Sequence, residues 1–111
     1  MEIRSAEDSG VTVIGVSGRL DSATSDALDA AVRTRIAAGQ TRIVLDLSAL
    51  DYVSSAGLRV FVMAARAVSG KGSLALAAPQ PRVQQVFDIA AVGLLVKIYG
   101  STADAVKALK P

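Results

Sequence analysis

The sequence predicts an α/β fold, a mixed and mostly parallel five-stranded sheet with about four helices in the order β-β-α-β-α-β-α-β-α. Three observations predict it. Apolar runs bounded by turn residues alternate with amphipathic stretches of helical period, the order that builds a parallel sheet. One run, "TRIVLDL" from Thr41 to Leu47, is rich in β-formers between polar flanks, as suits a central strand. The first two strand signals are separated only by "AEDSG", so a single hairpin opens the chain and its first strand falls at an antiparallel edge.

The elements follow in order. Met1 to Ser5 forms a short strand, and "VTVIGVSGRL" from Val11 alternates apolar with small or polar residues as the second. "DSATSDALDAAVRTRIAAG" is a helix with Ser22 or Asp21 as N-cap and Gly39 as its stop. Leu28, Val32 and Ile36 share one face of it, and Asp29 and Arg33 form an i,i+4 pair on another. After the central strand, "SALDYV" reads as a loop and a second helix runs from about Ser55 to Val68, stopping at "SGKG". "SLALAAP" is the fourth strand. "PRVQQVFDIAAVG" is a helix with Val83, Val86, Phe87 and Ala90 at helical spacing, ending at Gly93, and "LLVKIYG" is the fifth strand. "STADAVKALK" closes the chain as a helix capped by Ser101, with Asp104 three residues on. No linker, repeat or low-complexity tract divides residues 1–111, which form one domain.

Composition narrows the function. At 51% hydrophobic and 20% charged residues, the 111-residue chain is a folded globule with an aliphatic core, since aromatics make up only 4%. Twelve basic against ten acidic residues leave a net charge of +2, with no basic run and no aromatic platform, which argues against nucleic-acid binding. The absence of Cys and His removes disulfides, thiol nucleophiles, histidine bases and nearly every transition-metal site, so no metal and no cofactor are expected. The polar, acid-containing N-terminus excludes a signal peptide, and no uncharged apolar run reaches the roughly 18 residues that span a bilayer. A soluble cytoplasmic domain without a membrane partner, monomeric when free, is the expectation.

The second helix carries too many apolar residues for one face. Leu58, Phe61, Val62, Ala65 and Val68 point one way on a helical wheel, toward the sheet. Val60, Met63, Ala64 and Ala67 fall on the opposite side, with only Arg59 and Arg66 marking a wet stripe. Either neighbouring elements cover this second face, or part of it is an exposed patch that takes a partner.

Ser54 and Ser55 stand where that helix begins. One of them is needed as an N-cap. The other is free for a further role, because the helix N-terminus offers unpaired N–H donors and the positive end of a dipole. A phosphate there would be tolerated by the fold while setting about −1.5 to −2 charges beside the apolar surface of the same helix. A catalytic serine is disfavoured. There is no histidine, the surroundings are not G-x-S-x-G, and all four lysines are distant in sequence. The chain is therefore expected to bind rather than to catalyse.

Nearly the whole chain resembles the STAS family, the domain of anti-sigma factor antagonists and of sulfate-transporter cytoplasmic tails. "VIGVSGRLDSATSDAL" resembles its second strand and G-x-L/I-D segment, "IVLDLSALDYVSSAGLRVF" its central signature, and "VQQVFDIAAVGLLVKIYGSTADAVKAL" its C-terminal helix, strand and closing helix. Aligned on Asp46, Ser48, Gly57 and Leu58, the family's phosphorylated serine is Ser55, with Ser54 as second choice. The resemblance implies an anti-sigma factor that is also a serine kinase as partner, bound by the unphosphorylated form and released by phosphorylation, and a phosphatase for reset. Asp21 matches the family aspartate expected near the phosphosite, and together with the outer face read from the helical wheel the expected docking surface is Asp21, Ser54, Ala56, Gly57, Arg59, Val60, Met63 and Ala67. Two departures stand out: the aspartate before the phosphosite is Ser54, and the Ser or Thr after it is Ala56. The alternative is a constitutive STAS subunit of an ABC-type lipid-transport complex or of another assembly, in which the serines only cap.

Overall fold

A computed structural model describes all residues 1–111. The chain runs β1 (Glu2–Asp8), β2 (Val11–Leu20), α1 (Ser25–Ala37), β3 (Arg42–Asp46), β4 (Leu50–Val53), α2 (Ser55–Val68), β5 (Ser73–Ala77), α3 (Pro81–Ile89), a short 3₁₀ turn (Val92–Leu94), β6 (Lys97–Tyr99) and α4 (Thr102–Leu109). The predicted class stands, with one strand more than expected. The six-stranded sheet has the order β1-β2-β3-β5-β6, and β4 pairs with β2 off this path.

The opening hairpin is tighter than "AEDSG" suggests. Glu7 and Asp8 continue β1, and the turn is Ser9-Gly10 alone, with φ of 55° and 83°. Positive φ at both central residues gives a two-residue turn whose twist matches the flanking strands. β1 is the antiparallel edge, almost wholly exposed, and its Glu2, Arg4, Glu7 and Asp8 discourage pairing with another chain.

β2 is ten residues long and serves two neighbours. Thr12–Gly15 pair in parallel with β3, whereas Gly18–Leu20 pair in parallel with β4 across a register shift at Gly18 and Arg19. The "SALDYV" segment thus holds a four-residue strand. It escaped the periodicity because Leu50 and Val53 are buried while Asp51 and Tyr52 face water, too short a stretch for alternation to register. Arg19 lies over the Tyr52 ring, 4.1 Å from its centroid.

Alternation along the strands divides the core. Ile14, Val16, Ile43, Leu45, Leu74 and Leu76 face α1, α2 and α3, whose Leu28, Val32, Phe61, Val83 and Phe87 complete one cluster. Phe61 and Phe87 meet edge to face with centroids 6.0 Å apart. Val11, Val44, Ala75 and Ala77 face the other way, toward Ala105, Val106 and Leu109 of α4.

Helix ends follow local chemistry. α1 starts later than expected: its N-cap is Thr24, not Asp21 or Ser22. It closes on a Schellman motif, with Gly39 N–H donating to Ile36 O and Gln40 N–H to Arg35 O, the left-handed Gly39 (φ 84°) reversing the chain. The Arg33–Asp29 pair forms at 2.9 Å. α3 starts with Pro81 at its first turn and ends at Ile89, short of the predicted Gly93, because Ala91 adopts φ 55° and breaks the helix. The fifth predicted strand correspondingly shrinks to Lys97–Tyr99. Ser101 caps α4 through Asp104 N at 3.1 Å, as predicted.

The α2–β5 connection tolerates no side chain at Gly72, where a Cβ would stand 2.1 Å from the Thr41 carbonyl oxygen. That oxygen already accepts the Ser73 N–H at 2.9 Å. Backbone cannot yield as a flexible side chain can, so Gly72→Ala is expected to lower stability by about 1–3 kcal/mol, read from the urea unfolding midpoint. Gly93→Ala, whose Cβ would come no nearer than 3.9 Å to any neighbour, serves as the tolerated control.

Candidate functional site

The site forms where three chain segments meet: the end of β2, the end of β4 and the first turn of α2. Ser54 is the N-cap, extended at φ −94° and ψ 176°, and its Oγ accepts the Gly57 N–H at 3.4 Å. Its own N–H donates to Leu20 O at 2.9 Å, and its carbonyl accepts the Leu58 N–H at 3.0 Å. Both contacts that close the first helical turn thus fall on Ser54, which is also tied to the end of β2. Ser55, the first helical residue, is exposed and takes no part in the cap. Sequence left open which serine caps; the backbone geometry assigns the task to Ser54.

Gly57 is buried, and a Cβ on it would lie 2.8 Å from the Leu20 Cγ and Cδ2 and from the Val53 Cγ2. The missing side chain therefore lets α2 press on two side chains at the strand ends. Asp21 follows Leu20 directly, but its carboxylate organises its own turn: Oδ1 accepts the Ala23 N–H at 3.0 Å, and the Arg19 Nε stands 3.9 Å from Oδ2. Thr24 Oγ1 secures the same turn by donating to Arg19 O at 2.9 Å. Asp46 acts similarly at the other strand end, its Oδ1 accepting the Ser48 N–H at 3.0 Å.

The outer surface of α2 differs from the wheel in an instructive way. Val60 and Ala64, predicted on the open face, are buried, because α1 lies alongside α2 and covers that side. Ala67 is half-buried, whereas Met63 is 39% exposed and Arg59 and Arg66 are exposed as expected. In exchange Leu58 and Val62, predicted to face the sheet, are only half-buried. The apolar surface exists but is rotated away from α1.

Two grooves flank this surface and both contain Ser55, Arg59 and Met63. One, of about 670 Å³, lies between α1 and α2 and adds Ser25, Asp26, Asp29, Arg33, Ala56 and Val60. The other, of about 380 Å³, lies between α2 and the residues after α3 and adds Leu58, Val62, Arg66, Ala90, Val92 and Leu95. A third hollow, under β1 and β2, includes Asp46 and Ser48 but none of the α2 residues.

Sequence reasoning missed the contribution of the end of α3 and the segment after it. Ile89 is 87% exposed, Leu94 86% and Leu95 59%, the most exposed large apolar residues of the chain. The available signal is the uncharged run "IAAVGLLV", which the sequence pattern divides between a helix and a strand. No helix is long and apolar enough to cross a membrane.

Ser54→Ala is expected to cost about 1 kcal/mol through loss of the cap. Ser55→Ala should change stability by less than about 0.5 kcal/mol, as at an ordinary surface position. Thermal denaturation of the two single variants separates them.

Comparison with known proteins places this architecture. The STAS domain profile matches residues 2–105. A Bordetella bronchiseptica protein with the provisional name anti-sigma factor antagonist BtrV is 34% identical over 102 residues, 91% of this chain and 88% of its own. The crystal structure of an anti-sigma factor antagonist from Mycobacterium paratuberculosis superposes with a TM-score of 0.92 at 24% identity, over 99% of this chain and 94% of that one. Bacillus SpoIIAA, at 21% identity, superposes in its unphosphorylated form with a TM-score of 0.80 (96% and 95% coverage) and in its phosphorylated form with 0.73 (96% and 98%). At these identities the superpositions establish the fold, and the profile match over nearly the full length establishes the rest: the chain belongs to the STAS domain family.

Proposed function

We propose that this protein is an anti-sigma factor antagonist, a partner-switching module that binds an anti-sigma factor serine kinase when Ser55 is unmodified and is released when Ser55 is phosphorylated. The observation that carries this reading is the division between the two serines. Ser54 holds the cap, so the exposed Ser55 hydroxyl is available without loss to the fold. The role named for the Bordetella relative agrees with it.

In the transfer step the γ-phosphoryl group of ATP moves to Ser55 Oγ, which gives up its proton, and ADP leaves. A phosphatase reverses the modification by hydrolysis, returning serine and inorganic phosphate. The protein itself supplies an acceptor and a surface. The phosphate arrives at the first residue of α2, where backbone N–H groups and the helix dipole favour negative charge. It also stands on both grooves, where about −1.5 to −2 charges oppose the close approach of an apolar partner surface. SpoIIAA keeps one fold in both its forms, which fits a switch acting by surface charge.

The two departures from the family signature suit this arrangement. Position 54 is the N-cap, where serine and aspartate serve about equally well. Position 56 lies inside the α1–α2 groove, where Ala56 is half-buried and needs no hydroxyl.

Incubation with the cognate kinase and ATP, followed by peptide mapping, is expected to place one phosphate on Ser55. Ser54→Ala should retain it and Ser55→Ala should abolish it. Phosphate on neither serine would overturn the proposal. Ser55→Asp is expected to weaken kinase binding at least about tenfold with unchanged circular dichroism. Unchanged binding would favour a permanent interface elsewhere.

A further inference from the structure

We propose that the groove between α2 and the Val92–Leu94 turn seats an acidic amphipathic helix of the partner, an inference that rests on the reading of this surface as the partner-docking site. The groove has an apolar floor and a cationic rim. Leu58, Val62, Met63, Ala90, Val92 and Leu95 line it, and Arg59 and Arg66 stand along it. The two arginines are seven residues apart on one helix face, about 10.5 Å along the axis. Neither takes part in the ion pairs of this chain, and no Asp or Glu lines the groove. The groove on the other side of α2 is different. Asp26 and Asp29 face Arg33 and Arg59 there, and Arg33 is bound to Asp29 at 2.9 Å.

Two guanidinium groups free of ion pairs, over an apolar trough that no carboxylate lines, select its occupant. A helix with leucines at i, i+3, i+4 and i+7 fills the floor, and carboxylates seven residues apart reach Arg59 and Arg66 in the fork geometry that arginine favours. A second copy of this chain fits poorly, because two-fold pairing would set one arginine rim against the other. The concave shape also suits a helix better than a flat lipid surface.

The placement explains how modification at Ser55 is transmitted. Arg59 lies one turn along from Ser55, at the i,i+4 spacing where side chains meet. A phosphate on Ser55 pairs with Arg59 in cis and withdraws one of the two cations that hold the partner helix. Phosphate and partner carboxylate then compete for the same guanidinium group.

The test uses a fluorescein-labelled 14-residue helical peptide with that leucine pattern and two glutamates seven residues apart, beside a twin with lysines in their place. Fluorescence anisotropy and ¹⁵N-resolved amide shifts report binding to the unmodified protein. The glutamate peptide is expected to bind at least tenfold more tightly than the lysine twin, and to shift Leu58, Val62, Met63, Arg66 and Leu95. Arg66→Glu, which leaves Arg59 opposed by one carboxylate, should erase the preference, and Leu95→Ser should weaken both peptides. Both residues are exposed, and circular dichroism confirms the fold of each variant. Equal affinity for the two peptides, amide shifts confined to other surfaces, no binding at millimolar peptide, partition into phosphatidylglycerol vesicles in place of peptide binding, or a dimer that buries the groove would each overturn the inference. Phosphate acceptance at Ser55 is read separately by mass. Peptide failure on a protein that is still phosphorylated sinks the groove alone, and peptide binding without phosphorylation sinks the switch alone.

Discussion

The position of Ser55 depends on the closeness with which α2 meets the ends of β2 and β4. Gly57 makes that approach possible, because any Cβ there would collide with Leu20 and Val53. The Ser54 N–H then reaches the Leu20 carbonyl, and the Ser54 side chain and carbonyl close the first turn. This seat joins three elements by packing and hydrogen bonds together. The first helical residue past the cap is held outward, at the junction of two grooves. A surface serine on a loop would not have this fixed relation to a helix face.

The two adjacent serines illustrate how one residue type acquires two roles from backbone geometry. The extended backbone of Ser54 aims its oxygen back at the helix N–H groups, whereas helical dihedrals at Ser55 point its side chain to solvent. Capping is a matter of stability and is confined to the molecule. A charge added at Ser55 acts on whatever approaches from outside. Because α2 carries no acid in its first turn, added negative charge there meets no repulsion within the helix. The same helix carries Arg59 and Arg66, and α1 adds Asp26, Asp29 and Arg33 on one side of it.

The apolar surface beside Ser55 is composite. α2 contributes Leu58, Val62 and Met63, and the break after α3 contributes Leu95 over the buried Val92. The left-handed Ala91 ends α3 early and sends the chain into a short turn, leaving Ile89, Leu94 and Leu95 in solvent. Burying these side chains would be favourable at roughly 25 cal/mol per Å² of apolar surface, and the fold forgoes it. Of the three, Leu95 lines the groove that also contains Ser55, and exposure on that scale is uncommon on the surface of a soluble domain.

Much of this protein was legible in the sequence. The alternation of strand and helix signals determined the class of fold, the opening hairpin determined the antiparallel edge, and Gly39, Pro81 and Ser101 marked helix ends through their own backbone chemistry. The pair Ser54-Ser55 and the excess grease of α2 were visible as anomalies of pattern. Tertiary structure decided the rest, for a common reason: a helical wheel records direction around one axis and is blind to what stands in that direction. Val60 and Ala64 are buried because α1 happens to lie alongside α2, and Leu58 and Val62 are left partly open because the segment after α3 leaves a groove beside them. The strand Leu50–Val53 exists because the far end of β2 needed a partner, and its four residues carry too little alternation to announce it. Periodicity is a property of the chain, but exposure is a property of neighbours, and the surface this protein presents to a partner was settled only when the neighbours were in place.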